Sequence, residues 1–206
     1  MRRHNIFIDS DVKIGENVDI FPFAVLGRIP KRVGKMYRAV EEELFPLEIG
    51  DNCIIGCCAV IYRGAKLGRN VFVGDHAWIR EKVEIGDESV IGQGVSINYN
   101  TTIGCGTRIM NATHITGNCI IGDNCWIGMH VITMNDKTFS VDDPHIGPCI
   151  GNNVLIGSGA IIFPNVKIGD NAKISAGAIV KRDVGPNEVI RNHDTRRLLR
   201  SINICD

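Results

Sequence analysis

Aliphatic residues recur at every sixth position through the middle of the chain: Ile49, Ile55, Ile61, Leu67, Val73, Ile79, Ile85, Ile91, Ile97, Ile103, Ile109, Ile115, Ile121 and Ile127. Four places after each stands a small or β-branched residue, running from Cys53 and Ala59 through Ser89 and Thr107 to Cys125 and Val131. Self-similarity at a fixed short period marks a solenoid, and hexads of this form predict an all-β parallel β-helix. The glycine that usually follows the aliphatic residue is replaced at Tyr62, Arg80, Asn98 and Thr116, each 18 residues from the last. Three hexads therefore make one coil. The pattern predicts a three-sided prism of about eight coils, stacked at about 4.8 Å. The aliphatic residue points inward on each side, and the small one fits the narrow interior near a corner.

The register appears before this block at Ile8, Ile14, Ile20 and Leu26, and after it at Ile150, Ile156, Ile162, Ile168, Ile174 and Val180. Two insertions interrupt the prism. Residues 28–48 begin basic, with Arg28, Lys31, Arg32, Lys35 and Arg38, and turn acidic at Glu41, Glu42 and Glu43. Such segregated charge suits a solvated helix or a flap. Residues 135–149 are polar and turn-rich, and leave from the glycine-poor face as a protruding loop. After Val184 the repeat is expected to stop. Residues 193–203, with Leu198, Leu199 and Ile202 on one side, predict a short C-terminal helix that covers the open strand edge.

One domain of 206 residues is the expectation, since 44% apolar residues supply a single sizeable core. The 23 basic side chains balance 23 acidic ones, which removes the bulk attraction that nucleic acid or an anionic membrane would exploit. No stretch approaches the roughly 20 apolar residues of a membrane span, nor is there the apolar core of a signal peptide. A cytoplasmic protein is expected. Eight cysteines without a CxxC pair read as free thiols, three of them core fillers.

The hexads of the form IGDNCWIG, the single protruding loop and the ending IGSGAIIFPNVKIGDNAKISAGAIVKRDV resemble the hexapeptide-repeat acyltransferases over about residues 8–200. The resemblance implies a left-handed parallel β-helix, although the general rule for parallel crossovers favours the right hand. It also implies a homotrimer with acyl-CoA lying in the groove between two prisms. Within that family, the segment THITGNCIIGDNCWIGMHVITMNDK is most similar to enzymes that acylate the amino group of a nucleotide-linked sugar. A dTDP-linked 3- or 4-amino-6-deoxy sugar is the first expectation.

Amide formation from a thioester needs a neutral amine, a destination for its proton and donors for the developing oxyanion. Of the histidines at 4, 76, 114, 130, 145 and 193, His114 is expected at a prism corner, one coil beneath Ile132 and the exit of the polar loop. It is the first candidate for the base, with His145 inside the loop as its competitor. Asn98 and Thr116 on the glycine-poor face, Asn111 and Asn118 on the approaching hexads, and Asn135 and Asp136 at the loop's start complete a polar neighbourhood. Amides can hold sugar hydroxyls, and Asp136 could hold an ammonium or orient a histidine. Asn111 and Asn118 equally suit left-handed turns at prism corners. Trp78 and Trp126 could each stack on a base or fill a subunit contact. By the resemblance, Ser158, Ala176 and Gly177 match positions whose backbone approaches pantetheine. Lys181 or Arg182, together with Arg196, match positions near its phosphates, the alternative being a solvated surface.

Other classes remain in view. A serine or other small-molecule O-acetyltransferase shares the repeat. A zinc carbonic anhydrase of the same fold would need histidines at suitable spacing, and here no two stand five apart, so no metal is expected. A non-catalytic scaffold would leave the polar loop without a role.

Overall fold

The computed structural model describes residues 5–31, 43–138, 140 and 144–191. The chain winds into three parallel sheets of nine, eight and nine strands. The first face begins with Phe7–Ile8 and continues through Val60–Tyr62, Trp78–Ile79, Ser96–Ile97, His114–Ile115 and Ile132–Thr133 to Ile179–Val180. The second runs from Lys13–Ile14 to Lys167–Ile168, and the third from Asp19–Ile20 to Val189–Ile190. Each strand pairs with the strand one coil away, so residues 18 apart lie side by side, as in Trp78, Ser96, His114 and Ile132 on the first face.

The inward positions form one continuous core. Ile55, Ile61, Ile79, Ile97, Ile109, Ile115 and Ile127 are fully buried, as are the small residues Ala59, Ala77, Val95, Thr107 and Cys119. The polar members of this second set are satisfied by carbonyls of the next coil. Thr101, Thr107 and Thr113 donate to Thr116, Gly122 and Gly128 at 3.0, 2.8 and 2.7 Å. The thiols of Cys53, Cys119 and Cys125 reach Gly68, Pro148 and Gly151 in the same way, and all three cysteines are free. Coils approach so closely at two of the three corners that a side chain does not fit after the aliphatic residue. A Cβ at Gly104 would stand 2.6 Å from the amide nitrogen of Asp123. Asparagines take the left-handed backbone the corners require, for example Asn70, Asn118, Asn124 and Asn171.

The solenoid differs from the sequence expectation at its boundaries. It has about nine turns, because Val189–Ile190 extends it past Val184 by pairing with Lys173–Ile174. This last turn closes two residues early: Val184 bridges Ile168, and the Lys167 amide is capped by Asp183 only 16 positions away. That shortening takes it out of the six-residue register. The insertions are also narrower than predicted. Arg28 still ladders with Tyr62, Glu48 with Lys13 and Lys66, and Cys149 with Ile120 and Lys167. Arg63 pins the flanks of the first insertion: its guanidinium holds Asp11, lies 3.7 Å from Asp9 and donates to the Leu44 carbonyl. The insertion's central residues, the expected C-terminal helix and Arg196 lie outside the described residues. Among those described, no helix is long and apolar enough to cross a membrane.

Candidate active site

His114 is not at a corner. It opens the strand His114–Ile115 on the first face, with Ser96 below it and Ile132 above. The correction follows from where the strands begin: each starts on the residue before the inward aliphatic, so His114 is the outward member of its pair. Its Nδ1 lies 2.7 Å from Oγ of Ser96, and the ring is half-buried. Burial pushes the His114 pKa below the usual histidine value, since the charged form is the one that loses hydration. The side chain is thus a neutral imidazole at pH 7. The Ser96 contact fixes one nitrogen and leaves Nε2 for a ligand. Ser96 was not singled out from sequence, although the 18-residue coil places it directly beside His114.

The protruding loop folds back on the corner that leaves this face. Asn135 donates to the Gly117 carbonyl at 3.2 Å, and Asn118, at φ +59°, donates to the His145 carbonyl at 2.8 Å. The Ile146 carbonyl takes the Asn165 amide, and Pro148 takes that of Ile120. Asp136 caps the Thr138 amide at 2.9 Å. Thr116 is buried: its amide donates to Thr133 Oγ1 at 2.8 Å and its carbonyl accepts from Thr101. Asn98 is half-buried one coil below it. Asn118, Asn135, Thr116 and His145 therefore form the hinge of the loop, while His114 and Ser96 form a separate pair on the open strand.

The corner that enters the first face stacks Cys57, Asp75, Gln93, Asn111, Met129, Ser158 and Ala176 coil upon coil. In its lower part the amide of one coil is capped by the side chain of the next: Asp75 accepts from Cys57 at 2.7 Å, and Asn111 from Gln93 at 3.2 Å. The capping is not continuous: among the described residues neither the Asp75 nor the Asn111 amide has an acceptor. Asn111 precedes His114 by three residues, so the open amide lies at the edge of the strand that carries the histidine. Above it Ser158 and Gly177 are exposed, joined by the Gly177 amide to the Ser158 carbonyl at 2.9 Å. A Cβ at neighbouring Gly159 would meet nothing within 4 Å. Lys181 and Arg182 are exposed at the following corner, Lys181 with its ammonium 5.3 Å from the Phe163 ring. Among the described residues no group of three His, Cys, Asp or Glu side chains is placed to hold a metal ion.

Two family models match these coils: bacterial transferase hexapeptide (six repeats) at residues 46–81 and 150–182, and hexapeptide repeat of succinyl-transferase at residues 70–99. The chain carries the hexapeptide repeats that these two transferase models describe. It is 29% identical over 190 residues to the bifunctional protein GlmU of Clostridium botulinum, a match that covers 86% of this chain and 37% of that protein. The chain thus spans well under half of that curated relative. Its fold is similar to LpxA of Acinetobacter baumannii, with a TM-score of 0.71 at 20% identity, covering 92% of this chain and 70% of the other. It is also similar to LpxA, a UDP-N-acetylglucosamine acyltransferase, of Bacteroides fragilis, with a TM-score of 0.64 at 21% identity, covering 99% and 79%.

Proposed function

We propose that this hexapeptide-repeat chain is an acyltransferase that moves an acyl group from acyl-CoA to the amino group of a nucleotide-linked sugar, working as a homotrimer. The observation that carries this reading is the Ser96–His114 pair, a half-buried imidazole held by a serine hydroxyl on the first face. In the proposed step the sugar nitrogen attacks the thioester carbonyl, the new C–N bond forms, and the C–S bond breaks. The proton leaving nitrogen passes to Nε2 of His114 and then to the departing thiolate. The Asn111 N–H faces the charge that develops on the carbonyl oxygen. The corner of Ser158, Gly159 and Gly177 is open enough for an extended amide chain to lie along it, with Lys181 and Arg182 beyond for phosphates.

Relatives named for acyl transfer to a UDP-linked sugar support the substrate class. Trimer formation is supported by the outward rows of two faces. Ile132 and Ile179 on the first and Ile54, Phe72 and Leu155 on the third are exposed apolar residues, while Lys66, Glu84 and Lys167 mark the second as polar. Thiol release from acetyl-CoA, followed with matched sugar nucleotides bearing an amino or a hydroxyl group at one position, tests the reading. Release confined to the amino compound is expected. Release with the hydroxyl compound alone would make the enzyme an O-acyltransferase, and no release with either would overturn acyl transfer.

A further inference from the structure

A second polar site lies on the same face as His114, two coils nearer the N-terminus. Tyr62, Trp78 and Arg80 form its floor, and Phe7, Asp9, Arg28 and Lys31 form its wall. They enclose about 610 Å³, within the range of roughly 300–1,000 Å³ typical of small-molecule pockets. Tyr62 is buried beneath two guanidinium groups, Arg80 at 4.7 Å and Arg28 at 5.3 Å from its ring centroid. Its ring stands 6.1 Å from that of Trp78, and Arg80 is also 5.7 Å from the Trp78 ring. Trp78 itself is 42% exposed. The floor thus offers an indole face and guanidinium planes, surfaces on which a heteroaromatic base stacks.

Charge in the pocket is uneven. Arg80 is matched by Glu81, a buried carboxylate held through bonds of 2.9 and 3.3 Å, and Asp9 faces Arg63 at 3.7 Å. Among the described residues Arg28 and Lys31 have no carboxylate partner. Two surplus positive charges beside a stacking floor suit a ligand that joins an aromatic ring to two phosphates. Register supplies the direction: Trp78, Ser96 and His114 are successive rungs, so the pocket's upper edge is about 10 Å from the histidine, two strand spacings.

We infer that the pocket of Tyr62, Trp78, Arg80, Arg28 and Lys31 binds a nucleoside diphosphate, the base against Trp78 and the guanidinium planes and the phosphates at Arg28 and Lys31. This rests on the proposed acyl transfer for its role: a sugar carried on the terminal phosphate extends along the first face towards Ser96 and His114. The inference also resolves the reading of Trp78 in favour of stacking.

The chain contains two tryptophans, so in a Trp126→Phe variant Trp78 is the sole reporter. Titrating that full-length variant with dTDP and with UDP is expected to quench its fluorescence saturably, and inorganic pyrophosphate is expected to bind more weakly and without quenching. Arg28→Ala, an exposed change that leaves Glu81 paired, is expected to weaken nucleotide binding about ten- to hundredfold, the loss of one charge-assisted contact. His114→Ala is expected to leave it unchanged. Calorimetry on Trp78→Leu, where no reporter remains, should show a comparable weakening. Saturable binding that Arg28→Ala and Trp78→Leu do not alter would place the nucleotide elsewhere and overturn the inference, as would the absence of binding at millimolar nucleotide. Thiol release from acetyl-CoA distinguishes the two ideas. Nucleotide binding at Trp78 without any release leaves the pocket standing and removes the acyltransferase, while release with binding insensitive to these variants does the reverse.

Discussion

Oγ of Ser96 and Nδ1 of His114 meet at 2.7 Å because the coil length of 18 residues sets them on adjacent rungs of one sheet. In the proposed step the serine acts by orienting the ring. Ser96→Ala should therefore lower kcat about fivefold, the worth of one neutral hydrogen bond of about 1 kcal/mol, with the melting temperature nearly unchanged. Ser96→Thr should restore most of the rate. Steady-state kinetics on the two variants checks this, and a change confined to KM would assign Ser96 to substrate binding instead.

His114 is held neutral by burial, so its folded pKa lies below the ordinary value of about 6.5. As the pH falls through that depressed value the base becomes protonated, and kcat/KM should decline with an inflection below about 6.5. The same sign applies to stability. The unfolded chain binds the proton more readily, so the contribution of neutral His114 is fully present above the unfolded pKa and is lost as pH falls through the folded one. A pH profile of His114→Gln that keeps the wild-type acid limb would assign the limb to another group.

Thr113 lies in the core directly before His114. It donates to the Gly128 carbonyl at 2.7 Å and accepts the Val131 amide at 3.3 Å. Thr113→Val keeps the volume but leaves buried polar backbone unpaired, which should cost about 1–3 kcal/mol. Thr113→Ser should cost less by keeping both bonds. Urea unfolding of the two variants measures the difference.

The cysteines divide by position. Burial raises the thiol pKa of Cys53, Cys119 and Cys125, whereas Cys105 and Cys149 are exposed. A thiol reagent at neutral pH should label Cys105 and Cys149 in the folded protein and spare the three inward thiols. All eight cysteines should react after denaturation without reductant. Peptide mapping of the labelled protein reads both outcomes.

Most of the fold was legible because a solenoid repeats its instructions: Ile97, Ile115 and Thr113 each occupy a slot that every neighbouring coil repeats. The last turn was not, since Val184 and Val189 reach their rungs two residues out of step. Of the site, the 18-residue coil puts Ser96 beside His114, whereas Thr116 is buried in backbone bonds at the base of the loop, a role its place on the glycine-poor face does not reveal. The hinge role of Asn118 and Asn135 depends on where a loop outside the repeat folds back, and no periodicity encodes that. Asn111 illustrates a subtler loss. Its side chain caps Gln93 as a corner residue should, while its own amide, like that of Asp75 in the same stack, has no acceptor among the described residues.

The central claim, acyl transfer with His114 as base, is tested most directly by the rate of thiol release from acetyl-CoA in the presence of a nucleotide-linked amino sugar, compared between wild type and His114→Ala. The wild type should release thiol only when the amino sugar is present, and the variant should lose about 10²–10⁴-fold in kcat with nucleotide binding retained. A His114→Ala enzyme with wild-type kcat and an unchanged pH profile would contradict the account.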